Sequence, residues 1–190
     1  VQQAGLPRGV SASLVTNVPN STIDVVLTAS PLVWVGATNG VDVAAWDNGV
    51  TTNWSLLGSP NYFTNSDNVL IDDTATGSTT LNLTESVSPA AVLVTNDTKN
   101  FTISATGGAA LSGGMILAKR GAGTLTLASS NNFTGGVSFD SGVINLQNGY
   151  GLNPNLVTVN AGTELQLQGG VSVPATTPLT LKSTGTANAG

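Results

Sequence analysis

The chain has 190 residues and a net charge of −5, with five Lys and Arg, ten Asp and Glu, and neither His nor Cys. So few cations cannot form a basic patch, so we expect no nucleic-acid partner and no attraction to anionic membranes. Without His or Cys there is no disulfide, thiol nucleophile or Ser-His-acid triad. Charged residues make up only 8% of the chain, so Thr, Ser, Asn and Gly must cover the surface, which favours a fibrous or surface-exposed β protein.

Residues 1–30 contain two strand candidates, Val10–Leu14 and Ile23–Thr28, and a turn signal at Ser30-Pro31. A strand that is followed by a restart is what the last strand of a repeat looks like. We therefore predict that residues 1–30 end a preceding repeat unit. No apolar run reaches the length of about 18 residues that a membrane span needs, so no membrane insertion is expected in this segment.

Residues 31–113 form a second region, which we predict to be the first coils of the fold or a cap on it. All three tryptophans lie here. Trp34 sits in Leu-Val-Trp-Val, typical of a buried strand. Trp46 and Trp54, with Tyr62, lie close to Asn and Asp residues that hydrogen-bond to sugar hydroxyls. Because flat aromatic faces stack on sugar rings, these three residues are the candidate carbohydrate-binding site.

Three carboxylates in the same region, Asp67, Asp72 and Asp73, suggest a second kind of site. Calcium takes six to eight oxygen ligands, of which these residues could supply some. The alternative is that they hydrogen-bond to nearby backbone in turns. Calcium is the one cofactor that the sequence brings forward, and otherwise we expect none.

Three strand candidates follow at intervals of about ten residues: Thr79–Thr84, Ala91–Thr95 and Asn100–Ser104. A β-helix with three strands per coil produces this spacing, and so does a β-sandwich. The β-sandwich therefore remains the alternative fold for the N-terminal part.

Residues 114–190 repeat one short phrase. Gly123-Thr-Leu-Thr-Leu is echoed by Gly142-Val-Ile-Asn-Leu and by Gly162-Thr-Glu-Leu-Gln-Leu, and the glycines are 19 and 20 residues apart. A period near 20 with one strand in each copy indicates a solenoid, in which each copy covers its neighbour's apolar edge. We predict β-helix strand repeats over 114–190, with stacked Asn side chains, among them Asn145, in the coils.

The run Lys119-Arg-Gly-Ala-Gly-Thr-Leu-Thr-Leu-Ala-Ser-Ser-Asn-Asn-Phe-Thr-Gly-Gly-Val137, followed by Ser141-Gly-Val-Ile-Asn-Leu146, resembles the autotransporter-associated β-strand repeat, also called the passenger-associated repeat. Departures from the family pattern are mild: Ser129 replaces a frequent Gly, and Phe133 replaces the commoner Tyr. The resemblance implies a right-handed parallel β-helix in a large bacterial protein that is secreted or displayed on the cell surface. It implies no catalytic residues, because the repeat is a scaffold.

Catalysis has one candidate pair of carboxylates, Asp140 and Glu164, which could project from neighbouring coils. Some β-helices degrade polysaccharides, and glycoside hydrolysis needs two carboxylates across the scissile bond. Such enzymes line their clefts with several acidic and basic residues, whereas this chain has two Glu in all. We therefore expect that the protein is not an enzyme, and a polysaccharide hydrolase or lyase ranks third among the hypotheses.

The leading hypothesis is a structural passenger segment of a large extracellular bacterial repeat protein, acting as a rigid surface stalk, fibre or adhesin scaffold. Its expected partners are neighbouring repeats of the same polypeptide and, end to end, further copies of itself, because uncapped coils expose apolar ends. The alternative function is a carbohydrate-binding module with exposed Trp, for which a polysaccharide is the partner. The predicted location is extracellular or at the bacterial cell surface.

Overall fold

The computed structural model describes residue 6, residues 8–152 and residues 156–182. Within these residues the chain forms nineteen β-strands and one short 3-10 helix, Val18–Asn20, with no α-helix. The strands follow from the alternation of apolar and polar residues, which places successive side chains on opposite faces. The predicted all-β class is confirmed.

The first two strands form an antiparallel hairpin. They are β1 (Val10–Asn17) and β2 (Thr22–Ala29), joined by the 3-10 turn. Val10 lies opposite Ala29, and Asn17 lies opposite Thr22. Both predicted strands of residues 1–30 are therefore present, but they pair with each other in antiparallel fashion and not as one parallel strand of a coil.

The next six strands are short and make up the first coil. They are β3 (Leu32–Trp34), β4 (Ala37–Thr38), β5 (Val41–Asp42), β6 (Ala45–Trp46), β7 (Trp54–Leu56) and β8 (Ser59–Asn61). β4 and β5 form a small hairpin. β7 and β8 fold back antiparallel against β3, so the outermost strand at this end is β8, which contains Pro60. Proline donates no hydrogen bond and discourages further pairing at an edge.

The remaining strands build regular coils. They are β9 (Asn68–Asp72), β10 (Thr80–Leu83), β11 (Ala91–Thr95), β12 (Phe101–Ala105), β13 (Ile116–Arg120), β14 (Thr124–Leu127), β15 (Val137–Phe139), β16 (Gly142–Leu146), β17 (Val157–Val159), β18 (Thr163–Leu167) and β19 (Leu179–Leu181). Odd-numbered strands from β9 onward join β3 in one parallel sheet, which we call sheet one. Even-numbered strands from β10 onward join β6 in a second, sheet two. This stacking of coils is a parallel β-helix, as predicted.

The core lies between the two sheets and consists of stacked columns of inward side chains. In sheet one, Val92 pairs with Leu117, which pairs with Val137 and then Val157, and all four are buried. One coil takes 20 to 25 residues by this register. In sheet two, Ile103, Leu127 and Leu146 form a similar column. Each coil thus buries its apolar residues against the coils on either side.

Two details differ from the sequence predictions. Each Gly-punctuated copy contributes two strands and not one, because a second strand such as β15 precedes the glycine. The spacing in residues 74–113 also does not reflect three strands per coil. Between β10 and β11 the chain makes only an isolated parallel bridge, from Val87 to Leu111, so the third side of the coil is irregular.

The region 31–113 takes the β-helix form and not the β-sandwich alternative, because β3 and β6 pair in parallel with β9 and β10. The ladders run across residue 113 without interruption, since β11 pairs with β13 along five residues. The division into 1–30, 31–113 and 114–190 stays a prediction about domains.

Candidate functional site

The predicted sugar-binding tryptophans lie in an aromatic cluster inside the first coil, formed by Trp34, Trp46, Trp54 and Phe63. Antiparallel pairing of β3 with β7 sets Trp34 directly opposite Trp54, and their ring centroids are 4.8 Å apart at 77°. Trp46 meets Trp54 at 5.1 Å and Phe63 at 5.5 Å, both edge to face. These are the distances and angles at which aromatic rings attract one another.

Burial of the cluster corrects the expectation of exposed indoles. Trp46 is 0% exposed and Trp54 is 1% exposed, so neither ring presents a face on which a sugar could stack. The physical reason is core area: the first coil has few other large apolar residues, and these rings fill it. Trp34 is buried, as predicted from its strand, and its indole N–H donates to the Ser78 carbonyl at 2.8 Å.

Tyr62 is the one exposed member of the predicted sugar-binding set, with 41% of its surface accessible. Its ring is covered on one side by the Arg8 guanidinium, whose central carbon lies 5.0 Å from the ring centroid. Arg8 also donates to Thr64 Oγ1 at 2.6 Å, to Asp67 Oδ2 at 2.8 Å and to Asn61 Oδ1 at 2.6 Å. Tyr62 thus belongs to the anchor of the β1–β2 hairpin.

A groove of about 240 Å³ lies beside Trp54, between the β4–β5 and β7–β8 hairpins. Its polar lining comes from hydroxyl and amide groups, including those of Thr38, Thr52 and Ser55, and none of the lining residues is ionisable. The groove therefore offers neither an acid-base pair nor a charged anchor.

The candidate calcium ligands are directed to three separate sets of protein donors. Asp67 Oδ2 accepts from Arg8 and from the Thr64 N–H at 2.8 Å. Asp72 Oδ1 accepts from the Thr74 N–H at 2.9 Å. Asp73 accepts the backbone N–H groups of the next coil. Among the described residues, no group of three or more His, Cys, Asp or Glu is placed to hold a metal ion.

Asp73 stands at the corner where the chain passes from sheet one to sheet two. Its carboxylate accepts the N–H groups of Asp97 at 2.8 Å, Thr98 at 3.1 Å and Lys99 at 2.9 Å. The hydrogen bonds from Lys99 and Asp97 lower the pKa of Asp73, although burial opposes them. Asp97 in turn accepts the Ala122 N–H at 3.0 Å. Each corner carboxylate therefore satisfies the backbone of the coil stacked on it.

Lys119 occupies the inward position of the next corner and is fully buried. Its ammonium donates to the carbonyl oxygens of Arg120 at 2.8 Å and Gly121 at 2.6 Å, and lies 3.3 Å from that of Ser141 in the following coil. Burial lowers the pKa of Lys119 to about 8, while the carboxylates of Asp97 and Asp73 oppose the shift. The cation thus ties two corners together from inside.

Asn96 does the same work one coil earlier, because it precedes Asp97 at the equivalent corner and is also fully buried. Its amide N–H₂ donates to the carbonyls of Lys99 at 2.5 Å and Thr124 at 3.0 Å. The repeat glycines leave room for these contacts. A Cβ on Gly123 would lie 2.5 Å from the Asn96 amide nitrogen, and one on Gly142, whose φ is +76°, would lie 2.9 Å from the Lys119 ammonium.

The two carboxylates considered for catalysis have different surroundings. Asp140 lies at a corner, where it accepts from Ser138 Oγ at 2.7 Å and Asn160 Nδ2 at 2.7 Å and pairs with Arg120 at 3.2 Å. The Ser138 hydrogen bond, aided by Asn160 and Arg120, lowers the pKa of Asp140. Glu164 lies on β18 and accepts from Gln166 at 2.7 Å. Asp140 is therefore held in its charged form as a hydrogen-bond acceptor, which does not suit a general acid.

Sequence reasoning missed the buried corner residues Lys119 and Asn96, since lysine is seldom fully buried. A usable signal was present for Lys119, which opens the repeat motif two residues before a glycine. Among the described residues, no helix is long and apolar enough to span a membrane.

Comparison with known proteins agrees with this geometry. Residues 117–146 match the family model described as passenger-associated-transport-repeat, which confirms the resemblance predicted from Lys119 to Leu146. The matched stretch runs from β13 through β16 and contains two corners, with Lys119 at the first. The family suggests a secreted or surface protein. No curated protein and no solved structure matches the chain.

Proposed function

We propose that this chain is a structural segment of the passenger region of a large extracellular bacterial protein, and that it acts as a rigid stalk, fibre or adhesin scaffold at the cell surface. The observation that carries the proposal is the pair of uninterrupted parallel ladders from β9 to β19. Each coil bonds to both neighbours through its backbone in both sheets, so bending the stack would break hydrogen bonds on one side.

The corners support the same function, because they are the places where a protease or water would first enter a solenoid. Side chains seal them from inside, through Lys119 and Asn96, and from outside, through Asp73 and Asp97. We infer that the role is mechanical and that the protein is not an enzyme, since the carboxylates at the corners are engaged in holding neighbouring coils together.

Limited proteolysis with a protease of broad specificity tests the proposal. We expect early cleavage within the exposed β1–β2 hairpin and a long-lived fragment that contains the coils from β3 to β19, because local opening is needed before a stacked strand can be cut. Mass spectrometry would identify the cut sites. The Gly142→Val variant is the matched control, since its side chain would collide with the Lys119 corner, and it should be cut within the coils. Equal cleavage of hairpin and coils in the wild-type chain would contradict the proposal.

Surface location needs a separate test. The chain, placed between an export signal and an outer-membrane anchor, should be accessible to antibody on intact bacterial cells. Retention inside the cell, with a folded chain shown by circular dichroism, would count against a passenger role while leaving the rigidity of the coils untouched.

A further inference from the structure

The β1–β2 hairpin, which we call the arm, is amphipathic. Its register places four cross-strand pairs on one face: Val10 with Ala29, Ala12 with Leu27, Leu14 with Val25, and Thr16 with Ile23. All members except Thr16 are apolar, and the four largest are well exposed: Leu14 74%, Ile23 67%, Val25 64% and Leu27 62%. Ser, Thr, Asn and Asp predominate on the opposite face. An exposed apolar face of this kind marks an interaction surface.

The arm is fixed to the first coil only at its base. Arg8 holds that base through Thr64, Asn61 and Asp67, and the Ser30 N–H donates to the Gly9 carbonyl at 2.7 Å. A two-stranded hairpin is marginally stable by itself in water. The arm is therefore held out from the coils, with its apolar face uncovered by the described residues.

The opposite end of the solenoid exposes a second apolar surface, which we call the open end. It consists of Leu165, Leu167, Leu179 and Leu181. Their partners in the preceding coil are inward residues that are fully buried or nearly so, such as Leu146 for Leu167 and Val159 for Leu181. Leu167 is 51% exposed and Leu181 60% exposed. These leucines occupy core positions, and the described part of the chain places nothing over them.

The arm and the open end are complementary, but one molecule cannot join them. Six coil steps separate β3 from β19, which at about 4.8 Å each amounts to roughly 30 Å of stacked sheet. The apolar face of the arm spans seven residues, or roughly 20 Å, so it can cross the gap of about 10 Å between the two sheets at the open end. The other end of the solenoid is closed by β7 and β8, with Pro60 on the edge.

We propose that the arm of one chain packs its apolar face onto the open end of a second copy, so that copies join head to tail. The proposal rests on the scaffold function above and names the surfaces that would extend it into a fibre. Such a contact is heterologous: every added copy leaves one arm and one open end unused, so assembly continues beyond the dimer. The contact is small and falls in the size class of weak, reversible interfaces below about 1,200 Å².

Sedimentation velocity of the 190-residue chain over a wide concentration range tests the proposal. We expect the weight-average sedimentation coefficient to rise with concentration without levelling at a dimer. Leu27→Glu on the arm and Leu181→Glu at the open end should each weaken association at least tenfold, because each removes a leucine worth about 1.5–3 kcal/mol from the contact. Val26→Glu, on the opposite face of the arm, and Thr180→Glu, on the outer face of β19, are the matched controls and should associate like the wild type.

Mixing the two variants decides which surfaces meet. Leu27→Glu keeps a working open end, and Leu181→Glu keeps a working arm, so an equimolar mixture should form dimers that do not grow further. Circular dichroism confirms that each variant is folded. A chain that stays monomeric throughout, a dimer that Leu181→Glu leaves intact, or folded variants that fail to dimerise on mixing would overturn the proposal. If the coils resist proteolysis but no association occurs, only this proposal fails, whereas rapid cleavage of the coils refutes the scaffold function itself.

Discussion

Replacing Lys119 by methionine tests whether the buried ammonium holds the corners together. Methionine keeps the unbranched apolar stem but removes the donor, which leaves the Arg120 carbonyl, bonded at 2.8 Å, and the Gly121 carbonyl, bonded at 2.6 Å, without it. An unsatisfied buried polar group costs about 1–3 kcal/mol. Part of that loss is offset, because the folded variant no longer buries a cation. We expect the free energy of unfolding at pH 7 to fall by about 1–3 kcal/mol.

The pH dependence separates this role from simple packing. The pKa of Lys119 is lowered to about 8 in the folded chain, whereas an unfolded lysine titrates near 10.4. Between these values the unfolded chain binds more protons, so the stability of the wild type should rise with pH, by up to about 1.4 kcal/mol per pH unit. The Lys119→Met variant lacks this group, and its stability should be flatter from pH 8 to 9.5.

Urea unfolding at pH 7, 8, 9 and 9.5, followed by tryptophan fluorescence, measures both effects. Lys182→Met is the control, because Lys182 is exposed beyond β19 and its loss should change stability little. A Lys119→Met variant as stable as the wild type at pH 7, or a wild type whose stability does not rise above pH 8, would refute the reasoning.

Further predictions concern the corners and the aromatic cluster. Gly142→Ala should lower the free energy of unfolding by more than about 1 kcal/mol, since φ is +76° and the added Cβ would meet the preceding coil; Gly136→Ala, whose Cβ meets nothing within 4 Å, should be nearly neutral in the same urea titration. The lowered pKa of Asp73 contributes stability that is present above the ordinary carboxyl pKa and lost as pH falls through the folded value, so Asp73→Asn should reduce the loss of stability between pH 5 and pH 3. Calcium should leave the thermal midpoint unchanged, because Asp73 already accepts three backbone N–H groups; an upward shift would contradict this. Soluble polysaccharides should not alter tryptophan emission, because Trp54 is buried, and a saturable change would revive the sugar-binding hypothesis.

Strand positions were readable from the sequence because the period of two is strict wherever one face of a strand is buried. Ala91–Thr95 was predicted with the bounds that β11 has, and Thr79–Thr84 contains β10. The Asn ladder was also foreseen in part, since Asn145 Nδ2 donates to Gln166 Oε1 in the next coil at 3.1 Å. These features depend on local pattern alone.

The burial of Trp46 and Trp54 could not be read from the sequence, because it depends on how β6 and β7 fold together. Trp54 begins β7, and only the antiparallel return of that strand against β3 sets it opposite Trp34. Lys119 was missed for a related reason. Whether a lysine points inward is decided by its register on β13, and its burial becomes tolerable only when the turn carbonyls converge on the ammonium.

The stacking of coils, described above as the source of stiffness, also sets how the chain would respond to pulling along its axis. One coil adds about 4.8 Å to the stack but holds 20 to 25 residues, which span roughly 70–90 Å when fully extended. A single coil that detaches therefore lengthens the molecule more than tenfold at that point, while the coils beside it remain closed. The same molecule can stand stiff under small loads and yield in discrete steps under large ones, so that it absorbs a sudden tug without losing its fold as a whole.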